Sequence, residues 1–311
     1  MAKKTGDTKG GNPEPPPPFE PHVMKFSASN ALRLSMLANA AYLDENGAKT
    51  AANNLGLPKF IWIDLSDQID NLYGFAAGCD DYAVLSFRGT AKFQDWMTNV
   101  NAAPARFSWF FEGAPETGEV HTGFAMAVRH SWDKITDAVN QLIPPPPRTP
   151  DLAGLSTTSQ RTFWLTGHSL GAAIAVVCGA AFSMVKPVRL VNGIYTFGQP
   201  RIGLYNFCGH YDQLLRLQTF RFVNKEDLVP RVPFRGWDYA DLGCMIHFDN
   251  KGKPVLQSSQ WRNFLSRSIE SFKEFFDIAT HFGVDVGDHD YRQYENLIAT
   301  HQSELAALPF A

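Results

Sequence analysis

Apolar residues recur at two different periods along this chain. Between Ser27 and Leu43, the residues Ala31, Leu32, Leu34, Met36, Leu37, Ala40 and Ala41 fall at the spacing of one helix face. Phe60–Ile63 reads as a strand, and Tyr82–Arg88 as a buried strand that stops at Gly89. Gly123–Ile143 predicts one long helix, with Phe124, Val128, Trp132, Ile135, Val139 and Ile143 on its apolar face. Thr162–Thr166 is β-like, and Leu170–Val185 is a helix of small apolar residues. Ile194–Phe197, Thr219–Val223 and Cys244–Phe248 predict further strands, and Trp261–Phe282 an amphipathic helix. Strands that alternate with helices predict an α/β fold with a mainly parallel central sheet covered by helices on both faces. Ligand sites in such sheets lie beyond the carboxyl ends of the strands.

Composition narrows the class. The 311 residues carry 28 Lys and Arg against 31 Asp and Glu, a net charge of −3. There is no basic surplus for a nucleic-acid partner. The four cysteines, Cys79, Cys178, Cys208 and Cys244, show no CxxC spacing, which predicts neither a zinc ribbon nor a disulfide scaffold. Residues 1–21 are polar and proline-rich, with Pro15–Pro18 consecutive, and predict a disordered arm ahead of one domain over 22–311. The N-terminus lacks the apolar stretch of a secretory signal, and the run from Gly171 to Val185 is too short for a membrane span. A soluble chain follows as the expectation, in the cytoplasm or as a processed, secreted form.

Chemistry concentrates at Gly167-His168-Ser169-Leu170-Gly171, the one G-x-S-x-G sequence in the chain. A β-like run precedes it and a helical run follows, the strand–turn–helix that exposes a nucleophilic serine. Side chains at 167 or 171 are expected to collide with the neighbouring strand or helix. A serine hydroxyl needs a base, itself oriented by a carboxylate, and in this motif's architecture the chain order is Ser, acid, His. Asp227 follows the strand Thr219–Val223, with Glu226 as its neighbouring competitor. Of the nine histidines, His247, His281, His289 and His301 come after it. His247 lies in an alternating strand and His281 at a helix end, whereas His289 sits in a loop-like stretch, as a base should. Asp285, Asp288, His289 and Asp290 together suggest calcium by ligand type, but no binding-loop spacing supports a metal.

The chain resembles the class 3, fungal triacylglycerol lipase-like, branch of the α/β-hydrolases. The motifs Leu85-Ser-Phe-Arg-Gly-Thr90 with Asp95-Trp96, Val120-His-Thr-Gly-Phe124, the serine motif, Tyr195-Thr-Phe-Gly-Gln-Pro-Arg201, Arg221–Pro230 and Asp288-His-Asp-Tyr291 occur in order. The resemblance implies an α/β-hydrolase fold and hydrolysis of carboxylic esters, acylglycerols first among them, without a cofactor. It implies Ser169, Asp227 and His289 as the triad, and the backbone N–H groups of Leu170 and Thr90 as the oxyanion hole. It also implies a short lid after Thr90 that meets a lipid surface; Phe93, Trp96, Met97 and Val100 stand there at helical spacing. Arg88 is expected to tie that loop in place and His168 to pack within the elbow. Two departures bear on subfamily: Ala172 stands where a second glycine is common, and Asp241 where the family often has histidine. A short-chain or feruloyl-type esterase, a phospholipase, and a scaffold that binds without hydrolysing are the alternatives.

Overall fold

The computed structural model describes residues 15–66, 72–90, 103–144, 161–233, 235–256 and 286–310. Its main sheet has eight strands: β1 (Lys59–Asp64), β2 (Tyr73–Gly78), β3 (Tyr82–Phe87), β6 (Thr162–His168), β7 (Gly193–Phe197), β9 (Thr219–Asn224), β11 (Cys244–Phe248) and β12 (Pro254–Leu256), in that spatial order. The five central strands β3, β6, β7, β9 and β11 run parallel; β1, β2 and β12 are antiparallel to their neighbours. A second, four-stranded sheet joins β4 (Pro104–Arg106), β5 (Glu119–His121), β8 (Gly203–Leu204) and β10 (Tyr239–Ala240). The eight-stranded sheet is the mainly parallel central sheet expected from the alternating pattern.

The helices are α1 (Ala28–Ala40), α2 (Glu45–Asn54), α3 (Phe107–Phe110), α4 (Thr122–His130), α5 (Trp132–Leu142), α6 (Leu170–Met184), α7 (Tyr205–Leu215), α8 (Tyr291–Thr300) and α9 (Gln302–Ala306). Strand residues alternate between two cores, as a period of two requires. Leu85, Phe163, Leu165 and Ile194 face the layer of α4–α7, while Val84, Trp164, Tyr195, Phe220 and Phe222 face the layer of α1, α2, α8 and α9. Helix α6 is apolar on every side, so it can only be a central helix, and all its residues except Ser183 are buried. Helix α1 starts where Ser27 Oγ accepts from the Asn30 N–H at 3.1 Å. Among the described residues no helix is long and apolar enough to cross a membrane.

Two expectations are corrected. The single helix expected over Gly123–Ile143 is two, α4 and α5, broken at Ser131, whose backbone leaves the helical region at φ −102° and ψ 6°. The apolar spacing carries through because both segments bury the same face; periodicity alone does not register the break. Within the arm expected to be disordered through residue 21, residues 17–20 pack on the rest of the chain. Arg33 Nε donates to the Pro17 carbonyl at 2.6 Å, Asn30 Nδ2 donates to the Glu20 carbonyl, and the Phe19 ring stacks on Tyr82 at 4.1 Å. One aromatic within a polar stretch is enough to anchor it. Residues 1–14 and the helix expected over Trp261–Phe282 lie outside the described residues.

Candidate active site

Ser169 stands between the last residue of β6 and the first of α6, at φ 58° and ψ −127°. This is a costly conformation for a residue with a side chain, and such strain collects at functional sites. The neighbouring glycines let it close. A Cβ on Gly167 would lie 2.4 Å from the Gly171 carbonyl oxygen, and one on Gly171 only 2.2 Å from that of Phe87. The Ser169 N–H donates to the Phe197 carbonyl at 2.9 Å, which pins the turn to β7. Its Oγ is buried and makes no hydrogen bond among the described residues.

The turn after β9 carries Asp227, which is 2% exposed, while Glu226 beside it faces solvent. The Asp227 N–H donates to the Asn224 carbonyl at 2.8 Å. Its Oδ1 accepts from the Val229 N–H at 2.9 Å. Its Oδ2 accepts from His289 Nδ1 at 2.8 Å and from Tyr294 Oη at 2.5 Å. A carboxylate only accepts, so the His289 proton lies on Nδ1 and the basic nitrogen of the neutral ring is Nε2. Gly198 brings this pair to the serine elbow. It follows Phe197 at φ +60°, and a Cβ there would meet His289 Cε1 at 2.8 Å and Asp227 Oδ2 at 3.0 Å. The His289 ring also lies 4.5 Å from the ring of His168, the residue before Ser169.

Gly89 carries the early loop to the same place. A Cβ on it would stand 2.9 Å from Ser169 Cβ and 2.8 Å from the His168 carbonyl oxygen, so Thr90, the next residue, borders the elbow. Leu170 is the first residue of α6, and its N–H belongs to the turn that has no acceptor within a helix. The Ser169 elbow, the hydrogen-bonded Asp227–His289 pair, the loop at Gly89 and the start of α6 at Leu170 therefore meet at the carboxyl ends of β3, β6, β7 and β9.

Residues 84–237 match the model of the lipase (class 3) family. That match covers 154 of the 311 residues, just under half of the chain, and over that stretch the chain is similar to the class 3 lipases. It is 31% identical over 208 residues to the triacylglycerol lipase OBL1 of Ricinus communis, covering 54% of this chain and 38% of that one. It is 28% identical over 232 residues to the chloroplastic phospholipase A(1) DAD1 of Arabidopsis thaliana, covering 67% of this chain and 49% of that one. The chain thus spans less than half the length of either relative. Its fold is that of lipase II from Rhizopus niveus, with a TM-score of 0.55 at 20% identity over 72% of this chain and 81% of that one.

Other polar groups surround the site. His168 Nδ1 pairs with Tyr42 Oη at 2.7 Å, and the Tyr42 ring stacks on Tyr291 at 4.3 Å. Burial, with the neighbouring His289 adding to it, holds the His168 imidazole well below its usual range, so it stays neutral. Arg88 lies 5.7 Å over the Tyr42 ring and 5.8 Å over that of Tyr73, and its N–H donates to the Tyr73 carbonyl, which ties the loop after β3 to β2. His247 Nε2 bonds the Lys225 carbonyl and His301 pairs with Glu304 at the surface. Among the described residues no group of three His, Cys, Asp or Glu could hold a metal; Asp290 instead caps α8 through the Arg292 N–H. Asp285, His281, Phe93, Trp96, Met97 and Val100 lie outside the described residues. Tyr294, whose hydroxyl bonds Asp227, is the polar neighbour that the sequence did not reveal. Its only signal was an aromatic on the helix face that follows His289.

Proposed function

We propose that this chain hydrolyses carboxylic esters of acylglycerols through an acyl-enzyme. Ser169 Oγ attacks the ester carbonyl carbon while its proton passes to His289 Nε2. Asp227 holds the ring in the Nδ1–H tautomer and stabilises the imidazolium. The carbonyl electron pair moves onto oxygen, where the N–H groups of Leu170 and Thr90 receive it; each such donor contributes roughly 10²–10³ in rate. Collapse breaks the carbon–oxygen bond to the alcohol, which leaves with the proton from His289. Water then repeats the sequence: it gives its proton to His289, attacks the acyl carbon and releases Ser169 with that proton restored.

The observation that carries this reading is the 2.8 Å hydrogen bond between Asp227 and His289 beside the strained Ser169 elbow. The relative named as a triacylglycerol lipase supports acylglycerols, and the one named as a phospholipase A(1) supports phospholipids as a second substrate class. The helical spacing of Phe93, Trp96, Met97 and Val100 supports a lid that meets the lipid surface. The test is product analysis with emulsified triacylglycerol and with phosphatidylcholine vesicles, comparing the native chain with Ser169→Ala. Fatty acid release that the substitution abolishes, with thermal unfolding unchanged, is the expected result. Retained release would overturn the role of Ser169, and release from phosphatidylcholine alone would move the substrate to phospholipids.

A further inference from the structure

We infer that Asp288 is a positioning residue: it straps the turn that carries His289 onto the turn that carries Asp227, through Asn224, Lys225 and Glu226, and so sets the acid–base hydrogen bond. This rests on the roles proposed above for Asp227 and His289. The two partners are 62 positions apart in the chain, and closing so long a loop has an entropic cost that local contacts must offset. The segment that delivers His289 is a single 3₁₀ turn, Val286–His289, too short to hold its own place by internal hydrogen bonds.

The opposing turn is fixed from behind. Lys225 sits at φ 38°, in the left-handed region. Its N–H donates to the Phe248 carbonyl at 2.9 Å, and its carbonyl pairs with His247 Nε2 at 2.9 Å. Against this rigid edge Asp288 makes three contacts. Asn224 Nδ2 donates to its backbone carbonyl at 2.9 Å, the Glu226 N–H donates to its Oδ2 at 3.4 Å, and Lys225 Nζ lies 3.6 Å from its Oδ1. The contacts form consecutive rungs: Glu226 with Asp288, then Asp227 with His289. The ion pair is partly exposed and contributes little by itself, so the strap works through hydrogen-bond geometry and not through charge. An imidazole displaced by an ångström loses up to about a hundredfold in rate.

The test compares Asp288→Ala and Asp288→Asn with the native chain on a water-soluble short-chain nitrophenyl ester. Its second readout is the low-field proton resonance of the His289 Nδ1–H. Asp288→Ala is expected to lower kcat between about tenfold and a hundredfold with KM within twofold, and to broaden or shift that resonance. Asp288→Asn keeps an oxygen acceptor for the Glu226 N–H and the same shape. It is expected to recover most of kcat and the native resonance, and being isosteric it keeps the test open should the alanine variant fail to fold. Native kcat and resonance in Asp288→Ala would overturn the strap, and so would an asparagine variant as impaired as the alanine one. Failure of the underlying reading shows separately, as hydrolysis that survives Ser169→Ala.

Discussion

At the scale of single residues, Tyr294 shows how a buried carboxylate is kept in place. Its hydroxyl donates to Asp227 Oδ2 and accepts from the Asn224 N–H at 3.1 Å, so one oxygen joins the Asp227 carboxylate to the end of β9. Burial, and next the negative charge of Asp227, hold the Tyr294 phenol well above its usual range, so it remains a donor. Tyr294→Phe leaves the Asn224 N–H without that acceptor and takes one donor from Asp227. The expected outcome is a loss of about 1–3 kcal/mol in stability and a several-fold fall in kcat, read by chemical denaturation and initial rates. A variant with native stability would mean that the hydroxyl contributes nothing. Ser169 was nameable from the chain because it lies in a short motif with its own residue order, whereas Asp227 and His289 were nameable only through the resemblance of their segments to a known family. Tyr294 was not, because its partner lies 67 positions away and nothing local to residue 294 marks the contact.

Elements were legible where their periodicity was complete. Helix α1 carries its pattern in apolar spacing, helix α6 in an almost unbroken apolar run, and strands β3, β6, β7, β9 and β11 in short stretches dominated by apolar and aromatic residues. The strand β2, Tyr-Gly-Phe-Ala-Ala-Gly, was not anticipated. Its glycines and alanines give little β signal, and only its pairing with β1 and β3 makes it a strand. Asp241, one of the two departures from the family pattern, joins three separate segments. Arg201 Nε lies 3.1 Å and Arg221 Nη1 3.3 Å from its Oδ1, and Arg235 pairs with Oδ2. Arg201 in turn holds the Pro233 carbonyl at 2.8 Å, six residues beyond Asp227. Burial alone would raise the Asp241 carboxyl, but the three guanidinium groups outweigh it and hold the group far below the usual carboxylate range. A depressed carboxyl contributes stability that is present above its unfolded value, about 4, and is lost as pH falls from there towards the folded value. Asp241→Asn leaves buried guanidinium groups uncompensated and is expected to cost about 3–5 kcal/mol at pH 7. The gap between native and variant chains, read by denaturation at successive pH values, should narrow below about pH 4. A gap that stays constant with pH would refute the ionic account.

Across the whole molecule, the parallel sheet divides two cores and delivers four loops to one end, and the N-terminal segment closes the α1 side. Phe19 stacks on Tyr82 and meets Trp164 edge-on at 5.1 Å, so the strap spans β3 and β6 from outside. Deleting residues 1–20 is expected to lower the thermal midpoint by about 2–4 °C for each kcal/mol lost, with Phe19→Ala reproducing part of the fall. An unchanged midpoint would show that the strap rests on the domain without supporting it. Local order along the chain determined the α/β alternation and the strand–turn–helix around Ser169, since each follows from residue types within a few positions of one another. The tertiary structure alone decided that Asp227 and not Glu226 is buried against His289, and that Gly198 and Gly89 leave room for the two loops to meet the elbow. It alone packed Phe19, beside a run of prolines, against Tyr82 and Trp164. Those outcomes depend on which atoms approach across the sheet, and distance in space between segments far apart in the chain is not written in either segment alone.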